Sequence, residues 1–159
     1  MKIEYKPIGI IHTPFQHPKG MPIQPAGAEG IRGTVEVFDE YVEGLNDVDG
    51  FSRIVLLYHF HQAKPAAMRV IPFMDTQLRG LFATRAPARP NPIGLSIVRL
   101  IGIEGNILTI ENVDMLDGTP LLDIKPHVSE FASPASDRIG WLEQARGRAK
   151  KKKSDDRFA

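Results

Sequence analysis

The chain has 159 residues, a length that fits one domain with a substantial core, and its 42% hydrophobic and 25% charged residues are ordinary for a globular protein. There is no cysteine, which excludes disulfides, thiolate metal sites and a cysteine nucleophile. No apolar run reaches the length of a transmembrane helix, and Met1 to Tyr5, followed by Lys6-Pro7, does not read as a signal peptide, so the expected setting is cytoplasmic with no membrane partner.

The net charge of +1 hides an asymmetry. Residues 138–159 hold eight Lys/Arg against three acidic residues, a local charge of +5, whereas residues 1–137 carry −4. This divides the chain into a body, 1–137, and a C-terminal helix with a basic tail, 138–159. A basic appendage on a mildly acidic body suits a polyanion such as RNA, and it equally suits a solvated tail.

In chain order, the pattern is of short β-runs between turn signals. Ile8 to His12 is the first and Gly33 to Phe38 alternates as a strand does. Asp39 to Leu45 reads as a short helix with Asp39 near its N-terminus. Ser52 to Phe60 is long and nearly all apolar, which predicts a central strand covered on both faces. Gly80 to Thr84 is a run leading into a proline loop. Leu95–Ile103 and Ile107–Val113 flank Glu104-Gly105-Asn106, a hairpin signal. Leu121 to Lys125 is the last strand, stopped by Pro126. Ser136 to Ala149 carries Ile139, Leu142 and Ala145 at helical spacing, with Ser136 as N-cap. Residues 16–31 are rich in Pro and Gly and read as a long loop. About seven strands with little helix predict a mainly β fold, a single closed antiparallel barrel that leaves no sheet edge exposed.

Three segments carry candidate chemistry. In Thr84-Arg85-Ala86-Pro87-Ala88-Arg89-Pro90-Asn91-Pro92-Ile93-Gly94-Leu95-Ser96, three prolines remove three backbone donors and push Ala86, Arg89 and Asn91 toward extended geometry. Neither helix nor ladder is expected through it. The result is a stiff loop bearing two guanidinium groups, suited to carboxylate or phosphate, or a turn with two solvated arginines. Asp114 to His127 places Asp114, Asp117 and Asp123 within ten residues around the turn Asp117-Gly118-Thr119-Pro120, where a carboxylate could grip a ribose or an amine, or close an Asx turn. His59 and His61 share a face on a strand, the spacing of a weak metal signal that lacks a nearby third ligand. His61-Gln62 fits better as the polar rim of a cleft. No dinucleotide or Walker glycine pattern and no nucleophile elbow occurs.

These blocks together resemble the TsaA-like family, also called YaeB or TrmO: Ile8-Gly9-Ile10-Ile11-His12-Thr13-Pro14-Phe15, Pro22-Ile23-Gln24-Pro25, His61-Gln62, Phe82-Ala83-Thr84-Arg85, Arg89-Pro90-Asn91-Pro92-Ile93-Gly94-Leu95-Ser96, Asp117-Gly118-Thr119-Pro120 and Asp123-Ile124-Lys125-Pro126. The resemblance spans about residues 5–135. It implies a β-barrel homodimer that uses S-adenosyl-L-methionine to methylate the exocyclic N6 amine of threonylcarbamoyladenosine beside the tRNA anticodon. It implies cofactor contacts from Pro22, Ile23, Gln24, His61, Gln62, Arg85, Leu95, Asp117, Gly118, Thr119 and Pro120. Asp117 and Asp123 are then the candidate proton acceptors, and Arg89, Asn91, Lys125, Lys150, Lys151, Lys152 and Lys153 the candidate tRNA contacts. No resident metal is expected. Two rivals are a metal-dependent barrel enzyme using His59 and His61, and a non-catalytic RNA- or nucleotide-binding module.

Overall fold

The computed structural model describes residues 1–131 and 137–158. Six strands close into an antiparallel barrel in the order β1 (Gly9–His12), β2 (Arg32–Val37), β7 (Ile107–Glu111), β6 (Ile93–Glu104), β3 (Arg53–His59) and β8 (Thr119–Pro126), with β8 pairing back onto β1. Two further strands, β4 (Arg69–Val70) and β5 (Arg79–Gly80), form a small separate ribbon. The helical segments among the described residues are short 3-10 turns.

Period-two alternation fills the barrel. Val35 and Val37 from β2, Ile54 and Leu56 from β3, Val98 and Leu100 from β6, Leu108 and Ile110 from β7, and Leu121 from β8 meet inside, all at most 9% exposed. Each fully buried Val, Leu or Ile contributes about 1.5–3 kcal/mol of transfer free energy. The β6–β7 hairpin turns through Gly105 at φ 61° and Asn106, whose side-chain amide donates to the Val37 carbonyl at 3.0 Å.

Four expectations change. β3 is not covered on both faces: Ile54, Leu56 and Tyr58 point into the barrel, while Val55, Leu57 and His59 face outward and stay half-exposed, because a single closed barrel has only one interior. Gly80 to Thr84 is not a strand; it passes from β5 into a 3-10 turn at Leu81–Ala83. The ladder enters the proline motif, since β6 begins at Ile93 directly after Pro92, where no proline interrupts it. The predicted α-helix over 136–149 is only a 3-10 turn at Gly140–Ala145 among the described residues, with Gly140 at φ 60°. Its expected N-cap, Ser136, lies outside the described residues. Asp39–Leu45 is the expected short helical segment, of the 3-10 type, and Asp39 is its first residue.

Pro120 and Pro126 both lie within β8. Pro120 pairs only with Ile10 of β1; pairing with β3 starts at Leu121, so the missing donor falls where that ladder has ended.

Candidate functional site

A cavity of about 640 Å³ opens at the barrel end where β3 finishes and β6 begins, a size typical of small-molecule sites. Its walls come from six stretches distant in sequence: the 18–24 loop, the end of β3 with Phe60 to Ala63, residues 72–74, the proline loop with the turn before it, the 114–119 segment and the C-terminal tail.

The proline loop is braced from within. Thr84 donates its hydroxyl to the Leu81 carbonyl at 2.7 Å, and that oxygen accepts from the Ala86 amide at 3.3 Å. Arg89 turns back on the loop and donates to the carbonyls of Thr84 at 2.9 Å and Ala86 at 3.2 Å, with its guanidinium 5.8 Å from the Phe82 ring centroid. The two arginines therefore divide. Arg89 holds the loop's shape, while Arg85 is exposed at the cavity and meets Gln24 Oε1 at 3.4 Å. Nothing in their spacing distinguishes them, because the difference is which way a folded loop turns each side chain.

Gly94 sits opposite Tyr58 in the β3–β6 register, and the Tyr58 ring lies over it. A Cβ at Gly94 would stand 2.2 Å from the ring, which explains the glycine in the motif. Tyr58 is 4% exposed and its hydroxyl lies 2.9 Å from Ser96 Oγ. Ser96 in turn donates to Asp114 Oδ1 at 2.6 Å, so the Tyr58 hydroxyl is the donor to Ser96. Burial pushes the Asp114 carboxyl up to about 6, with Ser96 and the charge of Arg85 acting against the rise. Burial, then the Asp114 charge, pushes the Tyr58 phenol up as well. Sequence reading passed over Tyr58 and Ser96 and did not single out Asp114 among the three acids. The alternation that puts Tyr58 and Ser96 inside was visible in it; their meeting with Asp114 was not.

The other two acids are placed differently. Asp117 accepts from the Thr13 amide at 3.0 Å and from Gln16 at 3.3 Å, and stands 3.6 Å from His12. The Thr13 amide holds its carboxyl below the usual range. It fastens the segment after β1 to the 114–119 turn, and neither it, Gly118 nor Pro120 lines the cavity; Thr119 does. Asp123 pairs with Lys125 at 2.7 Å and borders a different cavity, with Ile8, Tyr41 and Phe51. The fold thus brings neither Asp123 nor Lys125 to the main cavity.

Pro22, Ile23, Gln24, His61, Gln62, Arg85 and Leu95 do converge there. Asn91 lies outside it, in the turn before β6, where its carbonyl accepts from Ile93. β3 stops at His59 and His61 falls in the following turn, so the two do not share a strand face. Burial, then the neighbouring His59, pushes the His61 imidazole down, which favours its neutral form at pH 7. Among the described residues, no three His, Cys, Asp or Glu side chains gather as a metal site.

The tail is the unexpected wall. Ser154 exchanges backbone hydrogen bonds with Gly20 at 2.9 Å and Met21 at 3.0 Å, accepts from the Met21 amide on its hydroxyl and donates that hydroxyl to the Pro18 carbonyl. Lys153 bridges Pro22. Phe158 packs edge-on to Phe73 at 5.2 Å, and the Trp141 indole donates to the Ala83 carbonyl at 2.8 Å. Trp141, Leu142, Ser154, Asp155 and Phe158 all line the cavity. Lys150, Lys151 and Lys153 are exposed and Lys152 half-buried, on the segment that leads into this wall.

The closed β-barrel carries an apolar cavity at its mouth, edged by guanidinium, imidazole and carboxylate groups, a lining suited to an amphiphilic, charged small molecule. The chain belongs to the TrmO family: the family described as the tRNA-methyltransferase O N-terminal domain matches residues 10–133. A relative in Pyrococcus abyssi, named a probable S-adenosyl-L-methionine-binding protein, is 57% identical over 99% of this chain and 86% of its own length. The mouse protein named tRNA (adenine(37)-N6)-methyltransferase is 34% identical over 81% of this chain and 32% of its own. A crystal structure of TrmO from Pseudomonas aeruginosa superposes with a TM-score of 0.74 at 40% identity, covering 89% of this chain and 63% of that one. The chain therefore spans less than two thirds of that solved relative and about a third of the mouse one.

Proposed function

We propose that this chain is an S-adenosyl-L-methionine-dependent methyltransferase acting on the N6 amine of threonylcarbamoyladenosine beside the tRNA anticodon. The carrying observation is convergence: residues from Pro22 to Thr119 that belong to the family blocks line a single cavity. The family itself and the names of its relatives support the cofactor and the RNA substrate.

The donor set fits the cofactor. Phe60, Phe73, Met115 and Leu116 offer apolar area to an adenosine, Arg85 a planar partner for the methionyl carboxylate, and neutral His61 with Gln62 polar edges for a ribose. Bound there, the cofactor supplies a methyl group on a sulfonium as electrophile. The chain's own contribution is alignment, because a displacement gains most from holding its partners in line. The braced proline loop and the Gly94–Tyr58 stack provide the required stiffness. Lys150 to Lys153, beside the cavity wall, serve as phosphate contacts for the anticodon stem.

The working unit in this reading is a homodimer. Ile93 and Leu95 are exposed apolar residues on β6, and half-exposed Ile97, Val55 and Leu57 continue the patch across the β3–β6 pair as far as the exposed Arg53 and Arg99. A contiguous apolar patch on a barrel wall suits burial against a second copy. In this reading the protein works in the cytoplasm beside its tRNA substrate; no described helix is long and apolar enough to cross a membrane.

The test mixes the protein with S-adenosyl-L-methionine and threonylcarbamoylated tRNA, followed by nucleoside mass analysis. A methylated threonylcarbamoyladenosine is expected. Tight cofactor binding with an unchanged nucleoside would reduce the protein to a binding module.

A further inference from the structure

We infer that Asp114, held by the Tyr58–Ser96 pair, is the group that takes the proton from the amine being methylated. The inference rests on the methyltransfer reading above. Three acids fall between residues 114 and 123, and the fold separates their tasks. Asp117 is committed to the Thr13 amide, Gln16 and His12. Asp123 is committed to Lys125 and the Ile124 amide, beside the other cavity. Of these three only Asp114 lines the main cavity, where the other lining carboxylate, Asp155 of the tail, is paired with Arg157 at 2.9 Å; among the described residues only Ser96 bonds the Asp114 side chain from another element.

Methyl transfer forms an N–CH₃ bond and breaks the S–CH₃ bond, the electron pair of which stays on sulfur. The nitrogen is left with one proton and one bond too many for neutrality. That proton needs an acceptor inside the cavity, and a carboxylate whose affinity has been raised toward the working pH is the efficient one. Burial has raised Asp114 to about 6, so it is ionised at pH 7 yet a better base than an ordinary aspartate. Ser96 and Tyr58 are positioning residues: they fix one carboxylate oxygen and leave the other to the cavity. The charged and titratable groups facing Asp114 are Arg85 from the loop and Tyr58 from β3, while His61 from the turn after β3, Arg89 from the loop and Asp155 from the tail line the same cavity.

The experiment compares wild type, Asp114→Asn and Ser96→Ala. Cofactor affinity is measured by calorimetry, single-turnover transfer to tRNA across pH 5–8, and the aspartate side-chain carboxyl titration by ¹³C NMR without tRNA. Wild-type transfer is expected to fall in acid with an apparent midpoint near 6. Asp114→Asn is expected to bind cofactor within about twofold and to transfer roughly 10²–10⁴-fold more slowly. Ser96→Ala removes a donor to the carboxylate, so both the acid limb and the NMR midpoint should move to higher pH together. Among the described residues no hydrogen bond joins His61 to Ser96 or Asp114, so an acid limb that belonged to its imidazole would stay in place. Transfer by Asp114→Asn at the wild-type rate would overturn the inference. So would a loss confined to cofactor affinity, which would make Asp114 a counter-charge, or an acid limb that stays put while the NMR midpoint moves. No transfer by wild type would instead refute the methyltransferase reading itself.

Discussion

Asp114 and Gly94 show how single residues set the cavity. The folded protein holds a proton on Asp114 up to about pH 6, against an ordinary value of 3.8. A folded-state value above the unfolded one contributes stability that is full in acid and is lost as pH rises through 6. Asp114→Asn cannot titrate, so it should gain stability relative to wild type between pH 4 and pH 7, by about 1–3 kcal/mol. Urea titrations at the two pH values read this directly, and a mutant that loses stability on the alkaline side would contradict the buried-charge cost. Gly94→Ala places a methyl against the Tyr58 ring, with the Phe60 ring also within 2.9 Å. Overpacking of this kind costs about 1–3 kcal/mol. It should also lift the Tyr58 hydroxyl from Ser96, so the single-turnover transfer rate should fall along with thermal stability. The motif's Ile93-Gly94-Leu95 was legible as a pattern, but its glycine acquires a reason only from the ring that β3 lays across it.

At the scale of elements, the proline loop and the C-terminal tail reverse their apparent roles. The loop looked like a perch for two free arginines; Arg89 instead ties it down, leaving Arg85 to the cavity. The tail reads in sequence as a basic appendage, for a polyanion or simply solvated; in the fold Ser154 and Phe158 also close the cavity against the 18–24 loop and Phe73. Deleting residues 148–159 should therefore weaken cofactor binding as well as tRNA binding. Replacing Lys150 to Lys153 by serine should separate the two, leaving cofactor affinity within about twofold while reducing the slope of log K against log salt by roughly 0.7–0.9 per lost phosphate contact. Calorimetry and filter binding at several salt concentrations check both. An unchanged salt slope would remove the lysines from the RNA interface. Strand identities were readable because alternation reports which face is buried; the tail's docking was not, because Ser154 and Phe158 acquire partners more than eighty residues away.

For the whole molecule, the barrel closes β1 onto β8 and leaves no unpaired barrel edge, and the β4–β5 ribbon has strands of only two residues, so association is expected to use a face. The apolar stripe over β3 and β6 provides one. Ile97→Glu should convert a dimer into monomers by sedimentation equilibrium, with the barrel's melting temperature little changed, since Ile97 points away from the core. A dimer that survives the substitution would move the interface elsewhere. The sequence by itself determined the six barrel strands, the β-hairpin at Gly105-Asn106, the β class and, through its ordered motifs, the family. These follow from local rules: side-chain alternation, turn chemistry and residue spacing. Only the tertiary structure decided which of Asp114, Asp117 and Asp123 faces the cavity, which arginine is free there, and that the tail is a wall. The physical reason is that a proton affinity or a cavity wall depends on what surrounds a group in space, and barrel closure sets those neighbours. The proline motif was a stiff segment before folding; the register of β6 against β3, and the turn back of Arg89, made it one side of a site.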